Sequence, residues 1–121
     1  MAIEFANLLL QKVRKFGASE TSVDFQQKAL DSFNYCLDDL ENEAGVATTR
    51  ITNVTDSVDL DSQAYEGTIS LGIDYYLSMY AEYRVESRSE LKEAYQRKLA
   101  TARRTFLSTE DVYGPRGDMS T

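Results

Sequence analysis

The sequence contains no histidine and no tryptophan, and it has only one cysteine and one proline. Without histidine there is no imidazole base, and a Ser-His-Asp triad is excluded. A single cysteine without histidine also excludes the usual structural zinc sites. Cys36 has no partner for an internal disulfide, which suits a reducing compartment. The six glycines are scattered, and none belongs to a phosphate-binding loop. We therefore expect no enzymatic activity, no cofactor and no bound metal.

Long hydrophobic runs are also missing. No apolar stretch approaches the roughly 18–20 residues that a membrane-spanning helix needs. The N-terminus lacks a basic leader and carries Glu4 among its apolar residues, which argues against a secretory signal. We expect synthesis in the cytoplasm and no membrane partner. At 121 residues the chain is long enough for one domain with a modest core.

Charge is unevenly distributed along the chain. The net charge is −7, and residues 20–66 contain eleven acids against Lys28 and Arg50. Residues 84–104 are instead rich in bases: Arg84, Arg88, Lys92, Arg97, Lys98, Arg103 and Arg104. This pattern is typical of solvated helix faces. It also suits head-to-tail association, in which the acidic edge of one copy meets the basic edge of the next.

The apolar spacing predicts four helices, over residues 2–16, 23–43, 62–83 and 88–107. Gly17 and Gly45 are placed to end the first two. The β-branched residues between the second and third helices predict a short extended segment near residues 48–58, either a lone strand or a hairpin. We therefore expect a mainly α fold, a small bundle of about four helices over residues 1–108. Residues 109–121, with two glycines and the only proline, predict a flexible, extended C-terminal tail.

The third predicted helix is rich in tyrosine and apolar on most sides. A helix of this kind must be buried on most sides, and a short chain offers little core, so we expect subunit contacts to complete its burial. Gly67 and Gly72 predict the close approach of another backbone. Core packing is the alternative for about half of the tyrosines. One face of this helix carries Tyr65, Ile69, Gly72, Tyr76, Tyr80 and Tyr83.

The threonine-rich segment and the helix that follows it resemble a known family. Ile51-Thr-Asn-Val-Thr-Asp-Ser-Val-Asp-Leu leads into a tyrosine-bearing helix, and a further helix and a polar C-terminus follow. This order of elements resembles the head-to-tail connector (adaptor) proteins of tailed bacteriophages, which form a ring beneath the portal. The resemblance covers roughly residues 20–121.

The resemblance implies a structural virion protein located in the neck, between capsid and tail. Its partners would be copies of itself in a ring, commonly a dodecamer, the portal protein, and a downstream neck, stopper or tail protein. DNA would pass through the lumen without specific binding. The third and fourth helices would build the ring, with Arg88, Lys92 and Arg97 joining the tyrosine face. The portal-docking tail would comprise Asp111, Val112, Tyr113, Gly114, Pro115 and Arg116.

Three other interpretations follow from the residues. The basic segment 84–104 suits a small helical nucleic-acid-binding regulator. The acids Asp38, Asp39 and Glu41 suggest a calcium site, although adjacent acids on a helix point to different sides and no EF-hand spacing exists. Arg116-Gly117-Asp118 matches an integrin-binding tripeptide, but a match of three residues recurs by chance. A tail that orders when it meets a partner is the preferred interpretation.

Overall fold

The fold is taken from a computed structural model that describes residues 2–80, 83 and 87–113, with side chains of the last helix described as far as Arg104. In these ranges the chain is mainly helical, as predicted. The helices are α1 (Phe5–Phe16), α2 (Val23–Ala44), α3 (Ser62–Leu77) and α4 (Arg88–Tyr113). Two short strands, β1 (Ile3–Glu4) and β2 (Ser57–Val58), form an antiparallel pair. None of the described helices combines the length and apolar character needed to cross a membrane.

Glycine ends α1 and α2 as the sequence predicted, and polar side chains cap the starts of α2 and α3. Gly17 follows α1 with φ 67°, and Gly45 follows α2 with φ 78°. Both are left-handed conformations that glycine adopts without a Cβ clash. At the start of α2, the Ser22 side chain accepts a hydrogen bond from the backbone N–H of Phe25. At the start of α3, Asp61 accepts one from the N–H of Gln63. These caps satisfy backbone groups that the helices leave unpaired.

The extended segment was correctly expected near residues 48–58, but its partner was not. Ile3 pairs with Val58, and Glu4 with Ser57, so residues 3 and 4 are strand rather than the start of the first helix. The segment before β2 is fastened to α2 by Asn34, whose side chain donates to the Ile51 carbonyl and accepts from its N–H, both at 2.9 Å. A two-residue ladder is marginal by itself, and the two Asn34 bonds hold its surroundings in place.

The core lies between α2, α3 and α4, and α1 packs on α2. Phe5 and Phe33 meet edge to face at a centroid distance of 5.3 Å, and both are fully buried. Ile69, Ile73 and Leu77 of α3 have no exposed surface in the single chain. Helices α2 and α4 of the same chain cover these three residues, so their burial needs no subunit contact. Tyr65, Leu71, Tyr75 and Tyr76 of α3 are only half-buried in the single chain, and a subunit contact over that side of the helix stays a prediction.

Two predicted helix ends are corrected. Helix α3 ends at Leu77 and passes into a turn, instead of continuing to residue 83. Helix α4 continues to Tyr113, past the expected end at Leu107. No glycine or proline interrupts the sequence between Leu107 and Tyr113, and Gly114-Pro115 comes directly after it. The predicted tail from residue 109 thus begins inside α4, and residues 114–121 lie outside the described part.

Candidate functional site: a groove between α2, α3 and α4

A groove of about 410 Å³ is bounded by α2 and α4, with α3 contributing its tyrosines. This volume falls within the range of small-ligand sites, about 300–1,000 Å³. One wall carries Asp39 and Glu43 of α2. The residues from the other two helices are Tyr75, Tyr76, Lys92, Tyr95, Gln96, Leu99, Ala100 and Arg103.

Two tyrosine hydroxyls from different helices converge on one carboxylate. Tyr76 of α3 donates to Asp39 Oδ2 at 2.5 Å, and Tyr95 of α4 donates to the same oxygen at 2.8 Å. Hydrogen bonds to an ionised group are stronger than neutral ones. Asp39 therefore links the three core helices, and its carboxylate is held in one orientation at the groove.

Burial sets the protonation of the groups around Asp39. It raises the pKa of Tyr95, and the nearby Cys36 and Asp39 raise it further. Burial also raises the pKa of Tyr76, assisted by the bond to Asp39, which favours the neutral phenol. Burial likewise raises the pKa of the Cys36 thiol. The two phenols thus act as donors at neutral pH, and Cys36 is held as a thiol rather than the reactive thiolate.

The raised pKa of Tyr95 predicts a loss of stability in alkali. The unfolded chain releases the Tyr95 proton near its ordinary pKa of about 10, whereas the folded chain retains it. The stabilisation is complete below that pH and declines as the pH rises above it. In Tyr95→Phe there is no proton to release. Above pH 10, we expect the unfolding free energy of Tyr95→Phe to decline less steeply than that of the wild type, by up to about 1.4 kcal/mol per pH unit.

Urea unfolding at pH 8 and pH 11 measures this difference. Tyr35→Phe is the matched control, because the Tyr35 side chain is exposed (47 % of the residue surface). The control should decline as the wild type does. If the unfolding free energy of Tyr95→Phe fell between pH 8 and pH 11 as much as that of the wild type, the Tyr95 proton would have no part in the alkaline loss of stability.

Opposite charges face each other across the groove. Glu43 stands on the α2 wall, and Lys92 and Arg103 stand on the α4 wall. All three are exposed. Within the described ranges, none of these three side chains forms an ion pair with the opposite wall. The two walls therefore carry exposed charges of opposite sign.

The predicted subunit-interface residues differ in their exposure in the single chain. Ile69 and Gly72 are buried inside the single chain and have no surface for a neighbouring copy. They were assigned to an interface because the helix is apolar nearly all round, and the chain's own α2 and α4 cover that face. The half-buried tyrosines of the set are Tyr65, Tyr76, Tyr80 and Tyr83, and the exposed residues are Arg88, Lys92 and Arg97.

Gly72 allows a close approach of side chains rather than of another backbone. A Cβ at this position would lie 2.6 Å from Tyr95 Cε1, and it would lie closer still to Cys36 Sγ. The Tyr95 ring therefore reaches Asp39 only because residue 72 has no side chain. At Gly67, nothing lies within 4 Å of the equivalent position. At Gly72 the closest approach is by side chains and not by the backbone that was predicted, and at Gly67 the single chain shows no close approach.

Tyr80 and Tyr83, which follow α3, pack on the first turns of α2. Lys28 Nζ lies 4.6 Å from the centre of the Tyr80 ring and 5.3 Å from that of Tyr83. It also forms an ion pair with Asp24 at 2.9 Å, and this bond lowers the pKa of the Asp24 carboxyl. Tyr83 packs edge to face on Phe25 at 5.0 Å. These two tyrosines are packing residues of the single chain, with Lys28 placed for a cation–π contact.

The acids near the end of α2 have a partner in the same chain. Arg50 Nε donates to Asp38 Oδ1 at 2.6 Å, and Arg50 Nη2 lies 2.9 Å from Glu41 Oε1. Asp39 instead faces the groove tyrosines. A calcium site requires the three acids to converge on one point. Asp38 and Glu41 point to Arg50 and Asp39 points to the tyrosines, so they do not. No group of three or more Asp, Glu, Cys or His side chains in the described part is arranged to hold a metal ion.

A buried ion pair joins α1 to α3, and the sequence analysis missed it. Lys12 Nζ lies 2.8 Å from Asp74 Oδ1, Lys15 Nζ lies 2.7 Å from Asp74 Oδ2, and Lys12 also contacts Ser70 Oγ at 2.7 Å. Lys12 and Asp74 are each 4 % exposed. The available signal was a single charge within each of two apolar stripes, since charges are almost never buried unless they are paired.

Sequence reasoning also missed the groove. Asp39 was considered only as one of the acids of the calcium interpretation, and Tyr95 was not considered as a site residue. The spacing of Asp39 and Glu43, four residues apart on α2, places both on one face and was a usable signal. In the predicted docking tail, Asp111, Val112 and Tyr113 belong to α4. Gly114, Pro115 and Arg116 lie outside the described residues.

Comparison with known proteins found no relative of this chain. No protein-family model, no curated protein and no solved structure matched the chain. The functional interpretation therefore depends on the residues themselves and on the way the fold arranges them.

Proposed function

We propose that this chain is a structural virion protein, a head-to-tail adaptor that assembles into a homo-oligomeric ring. The ring joins the portal of a tailed bacteriophage to the next neck or tail component and lets DNA pass. The observation that carries this proposal is the exposed basic surface of α4, on a chain whose net charge is −7. Its members are Arg88, Lys92, Arg97, Lys98, Arg103 and Arg104, and all six are exposed.

Complementary surfaces of one chain favour head-to-tail association. The acids Glu43, Asp59 and Asp61 are exposed on α2 and on the segment before α3. A contact between this surface in one copy and the α4 surface in the next is heterologous, and such contacts close into a ring when the rotation permits. Since Ile69 and Gly72 are buried by their own chain, the ring contact proposed here uses the exposed charged residues, Arg88, Lys92 and Arg97, in their place.

The C-terminal segment and the lumen have separate roles in the proposed ring. Helix α4 continues to Tyr113 and so includes the first three residues of the segment proposed to dock on the portal, residues 111–116. An acidic lumen suits passage of DNA, because like charge keeps the phosphate backbone from binding. The protein is thus proposed to reside in the virion neck after its synthesis in the host cytoplasm.

Charge reversal on α4 tests the ring contact. In Arg88→Glu/Arg97→Glu we expect self-association to weaken at least tenfold, because like charges oppose each other across the contact. Sedimentation velocity over a range of protein concentrations measures this change. Arg14→Glu is the control, since Arg14 is an exposed base on α1. Equal self-association of the double variant and the wild type would contradict a ring held together by α4.

The same exposed bases favour one alternative, a small regulator that binds nucleic acid through residues 84–104. It predicts duplex DNA binding that falls steeply with salt, because bound counterions are released from the phosphates. The adaptor proposal predicts no such binding at physiological salt. A fluorescence anisotropy titration with labelled duplex DNA at 50 and 200 mM salt distinguishes the two.

A further inference from the structure

Asp39 is a half-buried carboxylate with one oxygen left for a ligand. The hydroxyls of Tyr76 and Tyr95 both donate to its Oδ2 atom. Its Oδ1 atom accepts no hydrogen bond from the described residues and is not among their fully buried unpaired oxygens, so it is accessible at the groove. No lysine or arginine in the described ranges forms an ion pair with Asp39. The chain thus orients this carboxylate without neutralising its charge.

Three tyrosine rings form an aromatic surface beside the carboxylate. The centre of the Tyr75 ring lies 5.1 Å from that of Tyr76 and 6.0 Å from that of Tyr95. The Tyr76 and Tyr95 centres are 6.1 Å apart. Rings this close pack on one another, so a bound group has to lie on the side of the rings that faces the groove. The face of a tyrosine ring attracts a cation that lies within about 6 Å of its centre.

A guanidinium group suits this combination better than other organic cations. It is planar, stacks on aromatic faces and carries its N–H donors in the same plane, so it can cover a ring and still donate to Asp39 Oδ1. A quaternary ammonium has no donor for that oxygen, and a primary ammonium is compact and more strongly hydrated. The groove of about 410 Å³ continues past the rings along Leu99 and Ala100, which leaves room for a short aliphatic arm.

We propose that the groove binds a small guanidino compound with a short aliphatic arm. Its guanidinium group donates to Asp39 Oδ1 and lies on the rings of Tyr75 and Tyr76, and its arm lies along Leu99. Since Asp39 joins α2 to α3 and α4, a ligand bound there stabilises the folded chain. The site is complete within one chain and is therefore independent of the proposed ring.

The basic residues of α4 provide a test of the sign of the ligand's charge. Arg103 lies eight residues after Tyr95, about 12 Å along the helix. Lys92 lies within one turn of Tyr95, and its exposed ammonium opposes a cation bound at Asp39. We therefore expect Lys92→Gln to tighten the binding of a guanidinium compound roughly twofold. A ligand held by an anionic group would instead bind more weakly to this variant.

Titration of the full chain with butylguanidinium, followed by ¹H–¹⁵N NMR, tests the site. Concentrations up to about 20 mM stay far below the molar range in which guanidinium unfolds proteins. We expect saturable shifts at the groove residues. Butylurea, a neutral analogue of similar shape, should bind at least tenfold more weakly, because it lacks the charge that strengthens a hydrogen bond to a carboxylate.

Variants of the carboxylate and of one ring locate the binding. Asp39→Asn should weaken butylguanidinium binding at least tenfold, since the amide carbonyl still accepts from the tyrosines but the charge is lost. Glu20→Gln is the matched control, an exposed acid that does not line the groove. Tyr75→Leu should weaken binding about threefold. Its control is Tyr65→Leu, which removes a half-buried tyrosine of α3 that lies outside the groove.

Several results would overturn the proposal. They are shifts that do not saturate, equal binding of butylguanidinium and butylurea, unchanged binding in Asp39→Asn, and weaker binding in Lys92→Gln. If Asp39→Asn does not fold, the comparison of Tyr75→Leu with Tyr65→Leu decides in its place. The wild-type chain should also unfold at a higher temperature with butylguanidinium than with butylurea, and equal unfolding temperatures would contradict a site at Asp39.

Discussion

Replacing Asp74 with alanine is expected to lower the free energy of unfolding by about 3–5 kcal/mol. The substitution leaves Lys12, which is 4 % exposed, as a buried ammonium without its carboxylate. Ser70 Oγ stays within 2.7 Å of Lys12 Nζ, but a hydroxyl does not neutralise the charge. The loss is a large fraction of the roughly 5–15 kcal/mol that stabilises a typical domain. Urea unfolding followed by circular dichroism measures it.

Two further variants separate the cost of an unpaired charge from the loss of a contact. Lys15→Ala removes the other partner of Asp74, but the Lys15 side chain is 36 % exposed, so we expect a loss of only about 0–1 kcal/mol. In Lys12→Met/Asp74→Leu both charges are replaced by apolar groups of similar size. This double variant should regain most of the stability lost in Asp74→Ala. A loss below about 1 kcal/mol in Asp74→Ala would show that the pair is accessible to water.

Alanine at the two glycines of α3 is expected to have opposite effects. At Gly72 the new methyl group would overlap Tyr95 and Cys36, and overpacking of a core costs about 1–3 kcal/mol. The backbone conformation itself would gain up to about 1 kcal/mol from alanine. We expect a net loss of about 1–2 kcal/mol in Gly72→Ala, together with a weaker contact between Tyr95 and Asp39. Thermal unfolding and near-ultraviolet circular dichroism report these two effects.

Gly67→Ala is the internal control for that experiment. The position is exposed and open, and nothing lies within 4 Å of the added methyl group. Only the helix propensity changes, so we expect a gain of up to about 1 kcal/mol. If Gly72→Ala were as stable as Gly67→Ala, the close packing of α3 against Cys36 and Tyr95 would be incorrect.

Local signals predicted most of the fold. Gly17 and Gly45 end α1 and α2 because the backbone turns left-handed there. Glycine adopts that conformation without strain, so its place after an apolar helical pattern is a signal that the sequence shows directly. The pairing of Ile3 with Val58 was not predictable in the same way. It joins residues far apart in the chain, and a two-residue strand has no periodicity of its own to reveal.

The candidate site was harder to predict because it depends on which helices meet. The apolar character of α3 indicated that residues such as Ile69 and Gly72 are buried, but it did not say whether α4 or a second copy would cover them. Likewise, Asp39, Tyr76 and Tyr95 come from three helices, and only the packing of those helices brings them together. The charged surface of α4 was predicted, since exposed bases repeat along one helix.

Electron microscopy of the purified chain, alone and mixed with its cognate portal, tests the central proposal most directly. The adaptor function predicts closed rings, or density added beneath the portal that disappears when residues 111–121 are deleted. A monomer that leaves the portal unchanged would contradict it.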